Sequence, residues 1–445
     1  MRKSSHKSTS RRDVVGMALA AAAMASAGPA YAAEPSYDLV IKGGRVIDPL
    51  RRMNAMADVA MRWGRIVAVR PDIKAKNAEV LDATGKLVTP GLIDVHSHFT
   101  PPRPGGARPR GAGQAAVQTP GVPSTQVAAA AGGALPVTQA PTLPGPQVVL
   151  SDCVTGWIEA GSRGADNIEV EIPIARAAPQ TAALLVNIGR QGMGGANTDT
   201  LNLELADVDA CRKAIAAHRD LIVGIKARLS PEYAAEHDYE TLRRAEEASR
   251  PFNVPVMIHI GNTFTPLGKL LDLLKPGDIV SHIWVPGPHN MFDASGHIIP
   301  EVIAARKRGV RFDVGHGRLG HFSWEVAEQS IKQGFIADTT STDWSFFGHD
   351  NGTLGMPIQM SNLLSLGLSL ERAVAMATIN SANTFPIFHG RGTLKSGSPA
   401  DVAVLDLRQG SFELTDSVNV KRTASQKLFG YATVIGGKLL WQDKT

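Results

Sequence analysis

The stretch Val88-Thr-Pro-Gly-Leu-Ile-Asp-Val-His-Ser-His-Phe99 reads as a buried strand, Leu92 to Val95, running into two histidines. Alternate side chains of an extended strand share a face. The imidazoles of His96 and His98 therefore point the same way and could hold one metal ion. An isolated His-x-His is more often a surface pair at a strand end. Here the partners found further along the chain reverse that balance.

The region around this strand, from Thr89 to Phe388, alternates strand and helix patterns. Strand candidates are Leu92–His98, Thr155–Ala160, Ala182–Ile188, Leu221–Ala227, Val256–Ile260, Ile279–Trp284, Val310–Val314 and Ile336–Thr342. Helical patterns over Asp207–Arg219, Tyr239–Arg250, Leu267–Leu274, Pro300–Arg308 and Trp324–Gln333 separate most of them, and Pro357–Ser365 and Leu370–Asn383 follow the last. This alternation predicts an α/β fold, a (β/α)8 TIM barrel whose reactive groups sit at the C-terminal ends of the strands.

Both flanks of the barrel region are β-rich. Short strands separated by turns fill Tyr37 to Val88: Tyr37–Lys42, Arg45–Asp48, Ala57–Met61, Arg65–Val69 and Glu79–Asp82. Asp401–Leu407, Lys421–Leu428, Tyr431–Gly436 and Lys438–Trp441 form a similar set at the other end. Two such ends predict one small discontinuous β-sandwich, residues 33–88 and 391–445, flanking a barrel over 89–390. Residues 101–146 interrupt the barrel with a Pro/Gly/Ala-rich insert just after His98. Its composition fits a disordered insertion or a lid over the active-site mouth.

Four more residues fall at strand ends: Lys226 in Gly224-Ile-Lys-Ala-Arg228, His259 in Met257-Ile-His-Ile260, His282 in Val280-Ser-His-Ile283 and Asp343 in Ser341-Thr-Asp-Trp344. Singly, each histidine reads as a packed residue and Asp343 as a helix cap. Lys226 is more unusual, because burying an ammonium is costly and a cation does not ligate a metal. Its desolvated amine could add carbon dioxide, and the resulting carbamate has two oxygens with which to bridge two cations. Together His96, His98, Lys226, His259, His282 and Asp343 predict a site for two divalent metal ions. Imidazole and carboxylate donors favour Zn2+, with manganese, cobalt or iron open.

Composition narrows the function classes. Of the net charge of +5, the first 32 residues carry +4, five basic against one acidic, which leaves +1 for the rest. The charge supports no nucleic-acid partner. The same 32 residues read as a signal peptide. Ser10-Arg11-Arg12-Asp13 resembles a twin-arginine motif, Val14 to Ala27 is apolar, and Ala30-Tyr31-Ala32 fits a cleavage site. No stretch reaches the roughly 20 apolar residues of a permanent membrane anchor. The expectation is a bacterial periplasmic or secreted protein. Cys153 and Cys211 are too few for a disulfide framework and read as packing residues.

Pro90-Gly-Leu-Ile-Asp-Val-His-Ser-His98, the strand-end Lys226, His259 and His282, Asp343, and the tail Gly392-Thr-Leu-Lys-Ser-Gly-Ser-Pro-Ala-Asp401 together resemble the amidohydrolase superfamily. The lysine position is similar to that of binuclear members such as dihydroorotases and hydantoinases. Ala160-Gly-Ser-Arg-Gly164, Gly224-Ile-Lys-Ala-Arg228 and Phe312-Asp-Val-Gly-His-Gly317 resemble a deacetylase branch that is dihydroorotase-like in sequence. The segment Ile283-Trp-Val-Pro-Gly287 departs from it.

The resemblance implies that His96, His98 and Asp343 hold one ion, that His259 and His282 hold the other, and that the Lys226 carbamate bridges them. It further implies that a metal-bridging hydroxide attacks an acyl ester or linear amide while Asp343 shuttles the proton as base and then acid. Arg228, two residues beyond Lys226, could clamp a substrate carboxylate or sit in a structural ion pair. His316, and more weakly His289 and Trp284, are further substrate-contact candidates, whereas His321, His349 and His389 have nothing to support them. The resulting expectation is a deacetylase-like hydrolase of a small carboxylate-bearing molecule, with homo-oligomerisation open. A cyclic amidase of dihydroorotase or hydantoinase type shares the ligands. A mononuclear deaminase would lack the bridging lysine and would need a helix-borne His-x-x-Glu at the site. A non-catalytic exported metal-binding protein is the remaining reading.

Overall fold

The computed structural model describes residues 36–99, 145–193, 199–318, 320–345 and 355–444. The expected signal peptide, and the insert save its last two residues, lie outside them. The N-terminal strands are β1 (Leu39–Asp48), β2 (Met53–Arg62), β3 (Arg65–Arg70), β4 (Glu79–Asp82) and β5 (Leu87–Pro90). The middle of the chain supplies β6 (Leu92–His98), β7 (Val154–Gly164), β8 (Thr181–Asn187), β9 (Ile222–Arg228), β10 (Val256–His259), β11 (Ile279–Ser281), β12 (Arg311–Asp313) and β13 (Trp344–Ser345). The chain closes with β14 (Val402–Thr415), β15 (Lys421–Ile435) and β16 (Lys438–Gln442).

Strands β6 to β12 pair in parallel, each with the next, and β13 pairs in parallel with β6. Every residue of β6 and β7 is buried, the continuous burial expected of strands covered on both faces. Helices intervene as the sequence predicts. Asp207 caps the helix Val208–Ala217 by accepting from the Ala210 backbone N–H, and Pro300 opens the helix Pro300–Arg308. The expected helix Leu370–Asn383 is instead two, Leu370–Ala377 and Ile379–Ala382. They part at Thr378, whose hydroxyl donates to the Val374 carbonyl.

The eighth barrel strand differs from expectation. Residues 336–342 form no regular strand; only a bridge between Asp313 and Thr339 and the short β13 remain. Hydroxyls compete with the ladder here. Thr339 and Ser341 donate to Asp313, and Thr342 donates to Asp94. The segment still closes the barrel: the His316 N–H reaches the Ser341 carbonyl on one side, and the Asp343 N–H reaches the His96 carbonyl at 2.8 Å on the other.

The termini build the second sheet. β5 joins β1 in parallel and β14 antiparallel, so both chain ends share one hydrogen-bonded sheet. Its core includes Ile41, Val46, Val59, Val88, Val402, Val404 and Val434. The molecule is thus a (β/α)8 barrel carrying a β unit made from both ends. Two expected strand breaks are absent. β1 runs through Gly43-Gly44 as a bulge, with φ +71 at Gly43. β15 runs through Gly430, where a Cβ would stand 2.0 Å from the Ser151 carbonyl oxygen. That close approach, not a turn, requires the glycine. Gly430→Ala is expected to destabilise the protein by about 1–3 kcal/mol, read from urea unfolding; an unchanged midpoint would show that the backbone yields freely there.

Candidate metal centre

His96 and His98 emerge from β6 on one face, as their spacing dictates, and their ring centroids lie 5.3 Å apart. A hydroxyl sets the tautomer of each. Ser281 Oγ donates to Asp313 Oδ2 at 2.8 Å, so it accepts from His96 Nδ1–H at 2.7 Å. Ser162 Oγ likewise donates to Glu159 and accepts from His98 Nδ1–H at 2.8 Å. Both Nε2 lone pairs are therefore left for the cluster, where Asp343 Oδ1 stands 3.4 Å from His96 Nε2 and 3.0 Å from His98 Nε2. Such outer partners fix the orientation of metal-ligating imidazoles.

His282 and Asp343 do not occupy the last turns of regular strands. His282 lies just beyond β11 with φ 67, and Asp343 just before β13 with φ 51. Left-handed backbone at non-glycine residues costs of order 1–3 kcal/mol each and gathers at functional sites. The bend lets His282 donate from Nδ1 to the Gly315 carbonyl at 2.6 Å, which leaves Nε2. Gly315 is needed for this approach, since a Cβ there would meet His282 Nδ1 at 2.8 Å. His259, at the end of β10, is held at Nε2 by Ser230 at 3.2 Å, which leaves Nδ1.

Lys226 is fully buried on β9, with Nζ 2.9 Å from His96 Nε2 and 3.5 Å from Met257 Sδ. Burial pushes its pKa down to about 7, so neutral amine is plentiful at ordinary pH. Gly161 makes room for the stem: a Cβ there would lie 2.4 Å from Lys226 Cβ. Burial also holds His96, His259 and His282 well below the ordinary histidine range, which keeps them neutral, as ligands must be. For Asp343, burial alone would push the carboxyl up, but His96, His321 and His98 more than reverse this and keep it ionised. For His98, burial would lower the pKa, but Asp343 and Glu159 raise it.

Two sets of donor atoms lie within 4.8 Å of one another: His96, His98 and Asp343, and His259, His282 and His321. The sets adjoin, with His96 and His282 ring centroids 5.0 Å apart. Imidazole nitrogens, one ionised carboxylate and a deprotonatable amine beside His96 fit a pair of divalent cations. His321, which the sequence offered no reason to choose, completes the second set. The sequence likewise marks no role for Ser162, Glu159, Ser281 and Asp313. Each lies within three residues of a motif position, but only the fold shows what they orient.

The remaining candidates fare differently. Arg228 is buried and paired with Asp199, Nε to Oδ1 at 2.9 Å, and stacks over Tyr233 at 3.5 Å. Arg228 thus carries an ion pair with Asp199. His316 is buried, bonds the Gly317 carbonyl through Nδ1 and packs on Phe322 at 4.7 Å. Burial lowers its pKa to about 4. His289 lines a separate surface depression with Pro266, Pro286 and Gln329. Trp284 is fully buried in the core, near Phe322, so substrate contact through its side chain finds no support. Cys153 and Cys211 are buried and unpaired, as expected of packing residues.

Residues 321–440 match the amidohydrolase family model. A deacetylase of Enterococcus faecalis is 29% identical over 289 residues, covering 64% of this chain and 78% of that protein. A solved structure described as an adenine deaminase covers 92% of this chain and 100% of its own, at 26% identity and a TM-score of 0.75. The chain is a hydrolase. A dihydroorotase of Solibacter usitatus is also similar, 26% identical over 92% of this hydrolase and 99% of its own length. Among the described residues of the hydrolase, no helix is long and apolar enough to cross a membrane.

Proposed function

We propose that the chain is a binuclear metal-dependent hydrolase that cleaves an acyl ester or linear amide, deacetylase-like, on a small molecule. The observation that carries this reading is the junction at Asp343, whose Oδ1 faces His96 and His98 while Oδ2 faces His321 beside His259 and His282. His96, His98 and Asp343 would hold one cation and His259 and His282 the other, with Lys226, as its carbamate, between them. When bound, two zinc-like cations would acidify a water towards a pKa of about 7 and polarise the scissile carbonyl.

The chain's own residues supply the rest. Asp343 is ionised and faces both donor sets, so it can take the proton of the attacking water. As the new C–O bond forms and the C–O or C–N bond to the leaving group breaks, Asp343 returns that proton to the departing atom. Ser281 and Ser162 keep His96 and His98 from turning their lone pairs away. Arg228 places positive charge on β9 two residues from Lys226, which is the basis for a carboxylate-bearing substrate. Asp199 offsets much of that charge, so its pull on a substrate carboxylate is reduced.

Two further readings have specific support. The dihydroorotase likeness spans nearly the whole chain and favours cyclic amide opening. The adenine deaminase likeness favours hydrolytic loss of an amine from a purine. The cyclic amidase reading shares the ligands of the deacetylase reading, so turnover must separate them. The expected result with metal-loaded protein is activity on N-acetyl amino acids or acetoxy acids, with kcat/KM at least about tenfold above that for dihydroorotate, hydantoins or adenine. Preference for either of the latter classes would replace the deacetylase reading.

A further inference from the structure

We propose that His321 is a third imidazole donor at the His259/His282 position, so that this cation is held by three protein nitrogens and not by two imidazoles and Lys226 alone. The proposal rests on the two-cation reading above and adds a ligand to it. The donor atoms of His259, His282 and His321 lie within 4.8 Å of one another, the same closeness found for His96, His98 and Asp343. The His321 ring stacks on His282 at 4.2 Å and meets His259 edge-on at 4.8 Å. Three imidazoles gathered this way gain little from one another unless something binds between them.

Two further features fix His321 as a donor. Asp343 Oδ2 accepts from His321 Nδ1 at 3.2 Å, which selects the tautomer with its lone pair on Nε2. The loop after β12 is shaped around this pair. A Cβ on Gly317 would stand 2.5 Å from His321 Nδ1 and 2.6 Å from Asp343 Oδ2, so only glycine lets them meet. The terminal β unit clamps the loop from both sides. The Gly320 N–H donates to the Ser417 carbonyl at 2.9 Å, and the Phe322 N–H donates to Ser417 Oγ at 2.6 Å. His321 is thus held at 17% side-chain exposure between two anchored neighbours.

Three imidazole nitrogens match the protein donor set of a catalytic zinc site. The second cation therefore depends less on Lys226 than two imidazoles would allow. Metal-depleted wild type, His321→Asn, Lys226→Ala and the double variant, each titrated with Co2+, test this through stoichiometry by mass spectrometry and the visible Co2+ spectrum. The expected result is two ions in wild type and about one retained tightly in Lys226→Ala at this position. Affinity for that ion should be at least about tenfold weaker in the double variant. His321→Asn alone should change the spectrum, and His321→Gln should do the same while melting like wild type, which separates lost ligation from misfolding. If wild type binds two ions and both His321 variants match it in affinity and spectrum, His321 is no ligand. If wild type binds a single ion that His321→Asn releases, the two-cation reading falls and the role of His321 stands.

Discussion

Asp343→Asn is expected to lower kcat by at least about 100-fold while most of the metal stays bound. Asparagine keeps an oxygen at the position of Oδ1, 3.0 Å from His98 Nε2, so a donor remains. It loses the ability to accept a proton near neutral pH. The effect should fall on kcat more than on KM, because the proton moves only on the way to the transition state. His98 offers an internal check. Its pKa is raised against burial by Asp343 and Glu159, so the variant should bring it down, which NMR titration of the metal-free protein would read. Steady-state kinetics with metal analysis of the same sample decide the matter. Turnover within a few-fold of wild type would leave Asp343 a ligand only and move the proton shuttle elsewhere.

The strands carry what was legible in advance. His96 and His98 announce themselves because a two-residue spacing on a buried strand has only one geometric meaning. Lys226 stands out because an apolar strand has no other use for an amine. Arg228 was legible as a residue but not in its role, since its partner Asp199 lies before the strand that bears it and no local pattern joins them. Asp343 was visible as a residue but not as a conformation. The strand expected before it is displaced by Thr339, Ser341 and Thr342, whose hydroxyls go to Asp313 and Asp94, and its left-handed backbone leaves no mark in the sequence. His321 was illegible for a different reason. Its place depends on Asp343 and on Ser417, both distant in sequence, and a histidine in a Gly-rich loop looks the same with or without them. Periodicity reveals faces of elements, whereas loop residues become functional through contacts that only the closed barrel and the terminal sheet supply.

Lys226→Ala is expected to lower kcat by about 100-fold or more, because bridging charge in such a site is worth several kcal/mol. Metal content should fall from about two ions per chain towards one. Packing and charge are separable here. The lysine stem is fully buried against Gly161, so truncation leaves a cavity beside His96 and Met257. Millimolar acetate or propionate could enter that space and present two oxygens where the carbamate would have been, restoring part of the activity of Lys226→Ala. Lys226→Met fills the same space with a side chain that can neither add carbon dioxide nor admit a carboxylate. It should lose as much activity as the alanine variant and gain nothing from added acid. Wild-type protein reloaded with metal in bicarbonate-free buffer should recover activity more slowly than with bicarbonate present, because the amine must add carbon dioxide before it can bridge. Acetate rescuing both variants equally would point to an effect away from position 226. A methionine variant with near-normal turnover would show that Lys226 is held in the barrel for packing alone.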